Sequence, residues 1–484
     1  MRSVLLASVL PGLMSQLVKA QGADSYSLVE KESKKSIVVK VIEIQGDEIH
    51  FRYKGKSFKL PLARFKDGTA KEVEELLTAK KEEGGLKSER INEGVGHSLF
   101  GSSSLWEEKA SDVAKRLSWP QESSKDSSSS YRYYPKASYQ FLGTHPYCAT
   151  LYGGENEIPL RISMVFANKG DYGSKAGFGE DHFKKIHPDE ELPNTLDEAI
   201  ELDAKLIRDS LTQALGKEPV SQKYGEKEDK RTVQRWDYED HSFLLSSLKG
   251  EYTSLLVVPT EDADLQGKVE FIKDSTLKAQ QLKNVVKNEN GDVYIDNIPM
   301  VNQGPKGYCA PATFERAMSY MQVPADMYLL ATAATAEGGG TNTYLLAEDC
   351  KRIIRSKARR IKDLDLDKDL SFRTVAKYID KGVPLLWQMR SLSKYNEVAR
   401  SRTKERKKVE DYAAWTSDIQ AEADQLSSKL SAPENHHICL IIGYNEETKE
   451  LAVSDSWGPR YELRWVHIDI AKAVTSRGGF VIDF

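Results

Sequence analysis

Apolar and polar positions alternate across SIVVKVIEIQGDEIHFRYKGKSFKLPL, residues 36–62. Ile49, Phe51 and Tyr53 interleave with His50, Arg52 and Lys54, and Phe58, Leu60 and Leu62 with Ser57, Lys59 and Pro61. A period of two marks half-buried strands, and Gly46-Asp47 and Gly55-Lys56 supply tight turns between them. Three short strands and a helix from Ala70 to about Lys81 therefore predict a small β-barrel over 25–83. The next stretch, 84–135, carries the helical patch SLWEEKASDVAKRLSW between GSSS and SSKDSSSS, and such Ser-rich tracts read as a solvated linker.

A third region, 136–264, reads as an α/β domain. PLRISMVFA is a strand, Thr195 and Glu198 form a capping box that opens a helix to Leu215, Gly216 stops it, and VQRWDY, HSFLLSSL and TSLLVVP follow as strands. His182 and His187 are five apart, on different sides of a helix with no third ligand nearby, so they read as surface histidines. Nothing in this pattern assigns the domain a function.

In the last region, 288–484, Phe314, Ala317, Met318 and Met321 recur at i, i+3, i+4 and i+7, so a helix begins at or just after Cys309. Pro311 is tolerated there because the first turn has no intrahelical N–H bond to lose. Further on, HHICLIIGYNEETKELAVSDSWG predicts a β-hairpin folded about Glu446 and Glu447. Paired positions across a hairpin sum to a constant, which sets His437 opposite 455–457 and makes Asp455 its cross-strand neighbour. The charged helical segment 391–435 is inserted just before His437, as an arm or lid over a cleft or as a solvated helical hairpin.

Composition narrows the class. A chain of 484 residues suits roughly three domains, and 39% hydrophobic with 29% charged residues is ordinary for a globular protein. A net charge of −4 without a dominant Lys/Arg patch argues against nucleic-acid binding. Residues 1–20 combine Arg2, an apolar run from Val4 to Leu13 and a small-residue site at Val18-Lys19-Ala20, the pattern of a signal peptide. Pro11, Ser15 and Gln16 interrupt it too early for an anchor, and no later segment is apolar enough to span a bilayer, so the expectation is a secreted or periplasmic protein.

Cys148, Cys309, Cys350 and Cys439 are far apart and form no CxxC pair, so neither a disulfide framework nor a metal knuckle is indicated, although one bridge among the other three stays open. Cys309 is the candidate nucleophile. Orphan N–H groups and the macrodipole at a helix N-terminus favour a thiolate, but by only about 0.3 to 1 kcal/mol, and one pKa unit of depression needs about 1.4 kcal/mol. A cationic partner is needed, and His437 oriented by Asp455 provides one. Gln303 lies six residues before Cys309 and can aim an amide donor at an oxyanion beside the Cys309 backbone N–H, while Gly304 and Gly307 let the backbone approach a substrate. An inert core thiol at Cys309 and a plain turn residue at Asp455 are the competing readings. A zinc site on Cys309, His437 and Asp455 would lack a fourth ligand, so no metal or organic cofactor is expected.

QGPKGYCAPATF resembles the active-site start of papain-like cysteine peptidases, HHICLIIGY their His strand, and DSWG their Asn-Ser-Trp-Gly. Asp455 in place of Asn, and Cys309-Ala310-Pro311-Ala312, resemble the bacteriocin-leader-processing, double-glycine peptidase-like branch, with Ala310 departing from both patterns. The resemblance covers about 291–484. It implies a helical half facing a β-barrel half, selects His437 over His436, and gives a Cys309, His437, Asp455 triad with Gln303 in the oxyanion hole. It also offers Trp457 as a cover on the His–Asp pair, or else a core residue, and Gly339 and Gly340 as part of a peptide-binding wall, or else plain loop. The segment 25–83 resembles the Sla homology domain, an SH3-like barrel recurring in secreted bacterial proteins, which would dock a protein partner.

The expected fold class is thus α+β: an SH3-like barrel, a middle α/β domain and a papain-like domain. The expected function is exported peptidase activity on a peptide or protein substrate. Two rivals stand beside it: a thiol acyltransferase of transglutaminase type, and an idle peptidase-like scaffold.

Overall fold

The computed structural model describes residues 26–53, 56–136, 138–172, 193–226, 230–268, 272–305, 307–334, 341–430 and 436–484. The expected signal peptide over 1–20, His182, His187, Gly339 and Gly340 lie outside the described residues. The chain divides into two units, Met1–Arg90 and Ile91–Phe484. No helix among the described residues is long and apolar enough to cross a membrane.

In the first unit the alternating sequence forms an antiparallel meander of β1 (Tyr26–Val29), β2 (Ser36–Gln45), β3 (Glu48–Tyr53) and β4 (Lys56–Pro61). Ile49 and Phe51 are buried as the alternation predicts, joined by Leu28, Val39, Val41, Phe65 and Val73. Helix α1 (Thr69–Val95) runs well past the expected end near Lys81. Its Lys- and Glu-rich middle favours helix strongly enough to carry Gly84 and Gly85, at about 1 kcal/mol each relative to Ala. Its last turns bury Ile91 and Val95 in the second unit's core.

Of residues 84–135, expected as a linker, 91–135 are built into the second unit. Helix α2 (Ala110–Leu117) buries Val113, Ala114 and Leu117, and the Ser-rich tract forms strands β5 (Gln121–Lys125) and β6 (Ser128–Tyr133). A serine is tolerated inside when its hydroxyl is bonded: Ser130 Oγ donates to Glu122 Oε2 at 2.8 Å, and Ser123 Oγ accepts from the Met300 N–H at 3.0 Å.

The sheet that starts there continues through β7 (Cys148–Gly153), β8 (Pro159–Asn168), β9 (Val220–Tyr224), β10 (Arg231–Tyr238), β11 (His241–Leu248) and β12 (Tyr252–Pro259). The strand order is β5-β6-β7-β8-β12-β11-β10-β9, antiparallel throughout. The expected α/β domain is therefore an antiparallel sheet. Short turns join most neighbouring strands directly, and α3 (Leu196–Leu215) is the long helix laid against it, capped by Thr195 and Gly216 as predicted.

After α4 (Thr260–Asp264) and α5 (Asp274–Lys283), a second sheet is assembled from β13 (Val285–Lys287), β14 (Val293–Ile295), β15 (Arg360–Leu364), β16 (Leu385–Arg390), β17 (His436–Asn445), β18 (Glu450–Ser454), β19 (Arg464–His467) and β20 (Thr475–Asp483). The first half of β17 pairs with β16 and its end with β14, while β18 takes the opposite edge. Gly443 sits where the partner strand changes; a Cβ there would stand 2.5 Å from Tyr294 Cβ and from the Val293 carbonyl oxygen. Helices α6 (Cys309–Tyr320), α7 (Met327–Ala334), α8 (Thr343–Ser356) and α9 (Phe372–Ile379) complete the core with α12 (Ile468–Val474).

Helix α6 differs from its predicted one-sided amphipathic form. Phe314, Ala317 and Met318 face the second sheet's core, but Glu315 and Arg316 are buried too. The middle sheet covers that other face: Arg132 reaches Glu315 at 3.3 Å and Tyr152 OH donates to it at 2.9 Å. Glu315 survives burial because it is paired with Arg132 and hydrogen-bonded, and Arg316 because it donates to the Pro299 and Ser454 carbonyls and the Ser454 hydroxyl.

The insertion folds as α10 (Ser393–Arg406) and α11 (Tyr412–Leu426). It is neither solvated nor a free arm, since Tyr395, Val398, Ala399, Trp415, Ile419 and Ala423 are buried. Arg406 grips Asp292 through both Nη atoms at 2.6 and 2.8 Å and Glu450 through Nε at 2.8 Å. Trp415 Nε1 donates to the same Glu450 at 3.1 Å, so the insertion is fastened to the hairpin that carries His437.

Candidate active site

Cys309 opens α6, directly after Tyr308 at the N-cap, and is half-buried. Its helix is tied to the His strand one turn on, where Thr313 Oγ1 donates to the Ile438 carbonyl at 3.0 Å. Arg316 adds bonds to the Ser454 carbonyl at 3.2 Å and the Ser454 hydroxyl at 2.6 Å, fixing the same helix to β18. Helix start and hairpin end are thereby held together.

The hairpin register pairs Leu440 with Ser454 and Asn445 with Glu450, as a fold close to Glu447 and Thr448 requires. Continued past Leu440 and Ser454, that register carries His437 towards 455–457, and His437 Nε2 lies 2.9 Å from Asp455 Oδ1. The other ring nitrogen, Nδ1, is not the one that meets Asp455, and His437 is the neighbour that most favours the Cys309 thiolate. His436 points to the opposite, exposed side of the strand. Trp457 stacks on the His437 ring, centroids 4.8 Å apart and planes at 26°, which limits water at the imidazole.

The electrostatics separate Cys309 from the other cysteines. Burial works against its thiolate, but the hydrogen bond and charge of His437, with backbone hydrogen bonds at Ile438 and Ala310, bring the thiol below its ordinary value. Burial also works against the imidazolium, yet Asp455 and Cys309 raise His437 to about 9. For Asp455, burial is outweighed by Arg464 and His437, which hold the carboxyl below its usual range. Burial pushes Cys148 up to about 11 and Cys350 to about 12, and holds Cys439 well above its ordinary value. All four thiols are free, so no bridge forms among Cys148, Cys350 and Cys439.

Arg464 on β19 was not singled out by the sequence reading. It is buried and donates through Nη2 to Asp455 Oδ2, opposite the oxygen used by His437, and its guanidinium lies over Trp457 at 5.4 Å and Tyr395 at 5.9 Å. Its Nη1 bonds Asn396 Oδ1 of the insertion at 3.1 Å. A charged residue inside the apolar run LRWVHI was the available signal.

Gln303 lies in the loop before α6, where its backbone N–H donates to the Ser456 carbonyl at 2.8 Å and fixes this loop against the turn carrying Asp455 and Trp457. Gly307 is exposed, and no described atom lies within 4 Å of where its Cβ would stand, which leaves its backbone approachable. His437, Cys439 and Asp455 bring three donor atoms within 4.8 Å of one another, the kind of set a metal uses. Their chemistry fits that use poorly. Both Asp455 oxygens are engaged, a guanidinium stands beside them, and burial keeps the Cys439 thiol protonated.

No curated protein matches the chain. Residues 295–473, which hold Cys309, His437, Asp455 and Gln303, match the family model described as Peptidase_C39 like family, and this part of the chain is thereby related to the papain-like cysteine peptidases.

Proposed function

We propose that the protein hydrolyses peptide bonds with Cys309 as nucleophile, His437 as general base and acid, Asp455 as the group that orients His437, and Gln303 with the Cys309 N–H as oxyanion donors. The observation that carries this reading is the meeting of the helix opened by Cys309, tied through Thr313 to the Ile438 carbonyl, with the His437–Asp455 pair at 2.9 Å. The thiolate attacks the carbonyl carbon, and the oxyanion collapses as the C–N bond breaks and His437 gives its proton to the leaving amine. A water molecule then loses a proton to His437, attacks the thioester and releases the carboxylic acid, restoring the thiolate.

The pattern of residues 1–20 supports export to a secreted or periplasmic location, and the first unit would then serve to dock a protein partner. The test is brief alkylation with limiting iodoacetamide near pH 6 and peptide mass mapping, followed by a peptide-library search. Preferential labelling of Cys309 that disappears in His437→Ala is expected. Labelling no faster than a free thiol, unchanged in that variant, would overturn the catalytic reading.

A further inference from the structure

The loop that carries Gln303 is held largely by the middle sheet. Glu122 Oε1, on β5, accepts from the Asn302 N–H at 2.6 Å, immediately before Gln303. Tyr134, just after β6, donates its hydroxyl to the Asn302 carbonyl. Both backbone groups of Asn302 are thus bonded by side chains more than 160 residues upstream. On the other side of Gln303, the Tyr134 ring packs against Gly304, where a Cβ would stand 2.7 Å from Tyr134 Cζ. Gly304 has φ +71°, so close approach and backbone conformation both require glycine there.

The grip is itself rigid. Glu122 is buried and receives Arg132 Nε at 2.7 Å on one oxygen and Ser130 Oγ at 2.8 Å on the other, and Ser123 Oγ anchors the Met300 N–H at 3.0 Å. From the peptidase-like part come the Ser456 bond to the Gln303 N–H and, just upstream, the Arg316 bond to the Pro299 carbonyl. An oxyanion donor acts through being fixed before the charge develops, and here both side chains that bond the Asn302 backbone belong to the middle sheet region.

Resting on the functional reading above, we propose that Glu122 and Tyr134 of the middle sheet are positioning residues for the Gln303 oxyanion donor. The sheet then supplies an integral part of the catalytic centre.

Two small electrophiles separate this from a general structural role. 4-Nitrophenyl acetate acylates a thiolate through a tetrahedral oxyanion: the S–C bond forms, the C–O bond breaks and 4-nitrophenolate leaves. Iodoacetamide alkylates by direct displacement of iodide, with no oxyanion. Both rates are read at the Cys309 peptide by mass spectrometry in the full-length protein, with a thermal melt of each variant. Gln303→Ala sets the scale, a loss of about 100-fold in acylation.

Tyr134→Phe keeps the ring and removes the hydroxyl. It is expected to slow acylation about 10-fold, because the donor is loosened and not removed, while alkylation is unchanged. Glu122→Gln is expected to act in the same direction. Normal acylation in both variants alongside a slow Gln303→Ala would overturn the inference and leave the functional reading intact. Equal slowing of both probes would also overturn it, since the sheet would then support the site as a whole. A wild-type Cys309 that reacts with neither probe faster than a free thiol would overturn the functional reading instead.

Discussion

Replacing Asp455 by Asn keeps the shape of the side chain that orients His437 and removes its charge. Raising His437 from 6.5 to about 9 corresponds to about 3 kcal/mol of preference for the imidazolium. Burial opposes that preference, and the Asp455 hydrogen bond leads the favourable contributions, with Cys309 next. Asp455 thus leads the groups that keep the imidazolium charged, and losing its charge should lower the His437 titration by about one pH unit, roughly tenfold in the imidazolium-to-imidazole ratio.

The assay is the titration of the His437 imidazole followed by NMR. In Asp455→Asn it should titrate at lower pH than in the wild type, by about one unit. The substitution also leaves the buried Arg464 without its carboxylate, a loss of about 3 to 5 kcal/mol in stability for a broken buried pair. Asp455→Asn with Arg464→Gln separates the two effects: it should recover part of the melting temperature and none of the lost imidazolium. An unmoved His437 titration in a folded Asp455→Asn variant would refute the electrostatic argument.

Arg406→Ala strips the insertion of its paired anchor on Asp292 and Glu450 and is expected to destabilise the second unit by about 3 to 5 kcal/mol, measured by urea denaturation. The pH dependence of stability has a definite sign. Because folding raises His437 from 6.5 to about 9, its contribution is complete below pH 6.5 and is lost as the pH climbs through 9. Cys309→Ser removes the thiolate's share of that shift, so its melting temperature should decline less steeply between pH 7 and 10 than the wild type's, as calorimetry would show.

The core of the site was legible because its signals are local. A helix start with apolar spacing located Cys309, and counting back from a short turn located His437 opposite Asp455. Arg464 escaped because its partner is reached through a neighbouring strand, and nothing in a nine-residue separation from Asp455 announces the contact. The serines around 123–130 were misread for a related reason: composition registers their polarity but not the carboxylate and amide that bond them. Glu315 looks like a solvated position until the middle sheet brings Arg132 to it. In each case the missing information was a specific side-chain partner, which hydrophobic periodicity does not register.

The double enclosure of α6 bears on how the chain acquires its shape. Arg132 and Glu315 meet across 183 residues, and Glu122 and Asn302 across 180. Contacts of that separation form late, since the entropy of closing the intervening loop is lost before they return anything. The antiparallel sheet ending at Pro259 lies wholly before Cys309 in the chain, so its sequence is synthesised before the nucleophile's. The His437–Asp455 pair comes from still later strands, so the site cannot be complete until the C-terminal strands are made. A fragment cut at 288 would expose Tyr308, Ala312 and Met327, along with the unpaired charge of Glu315.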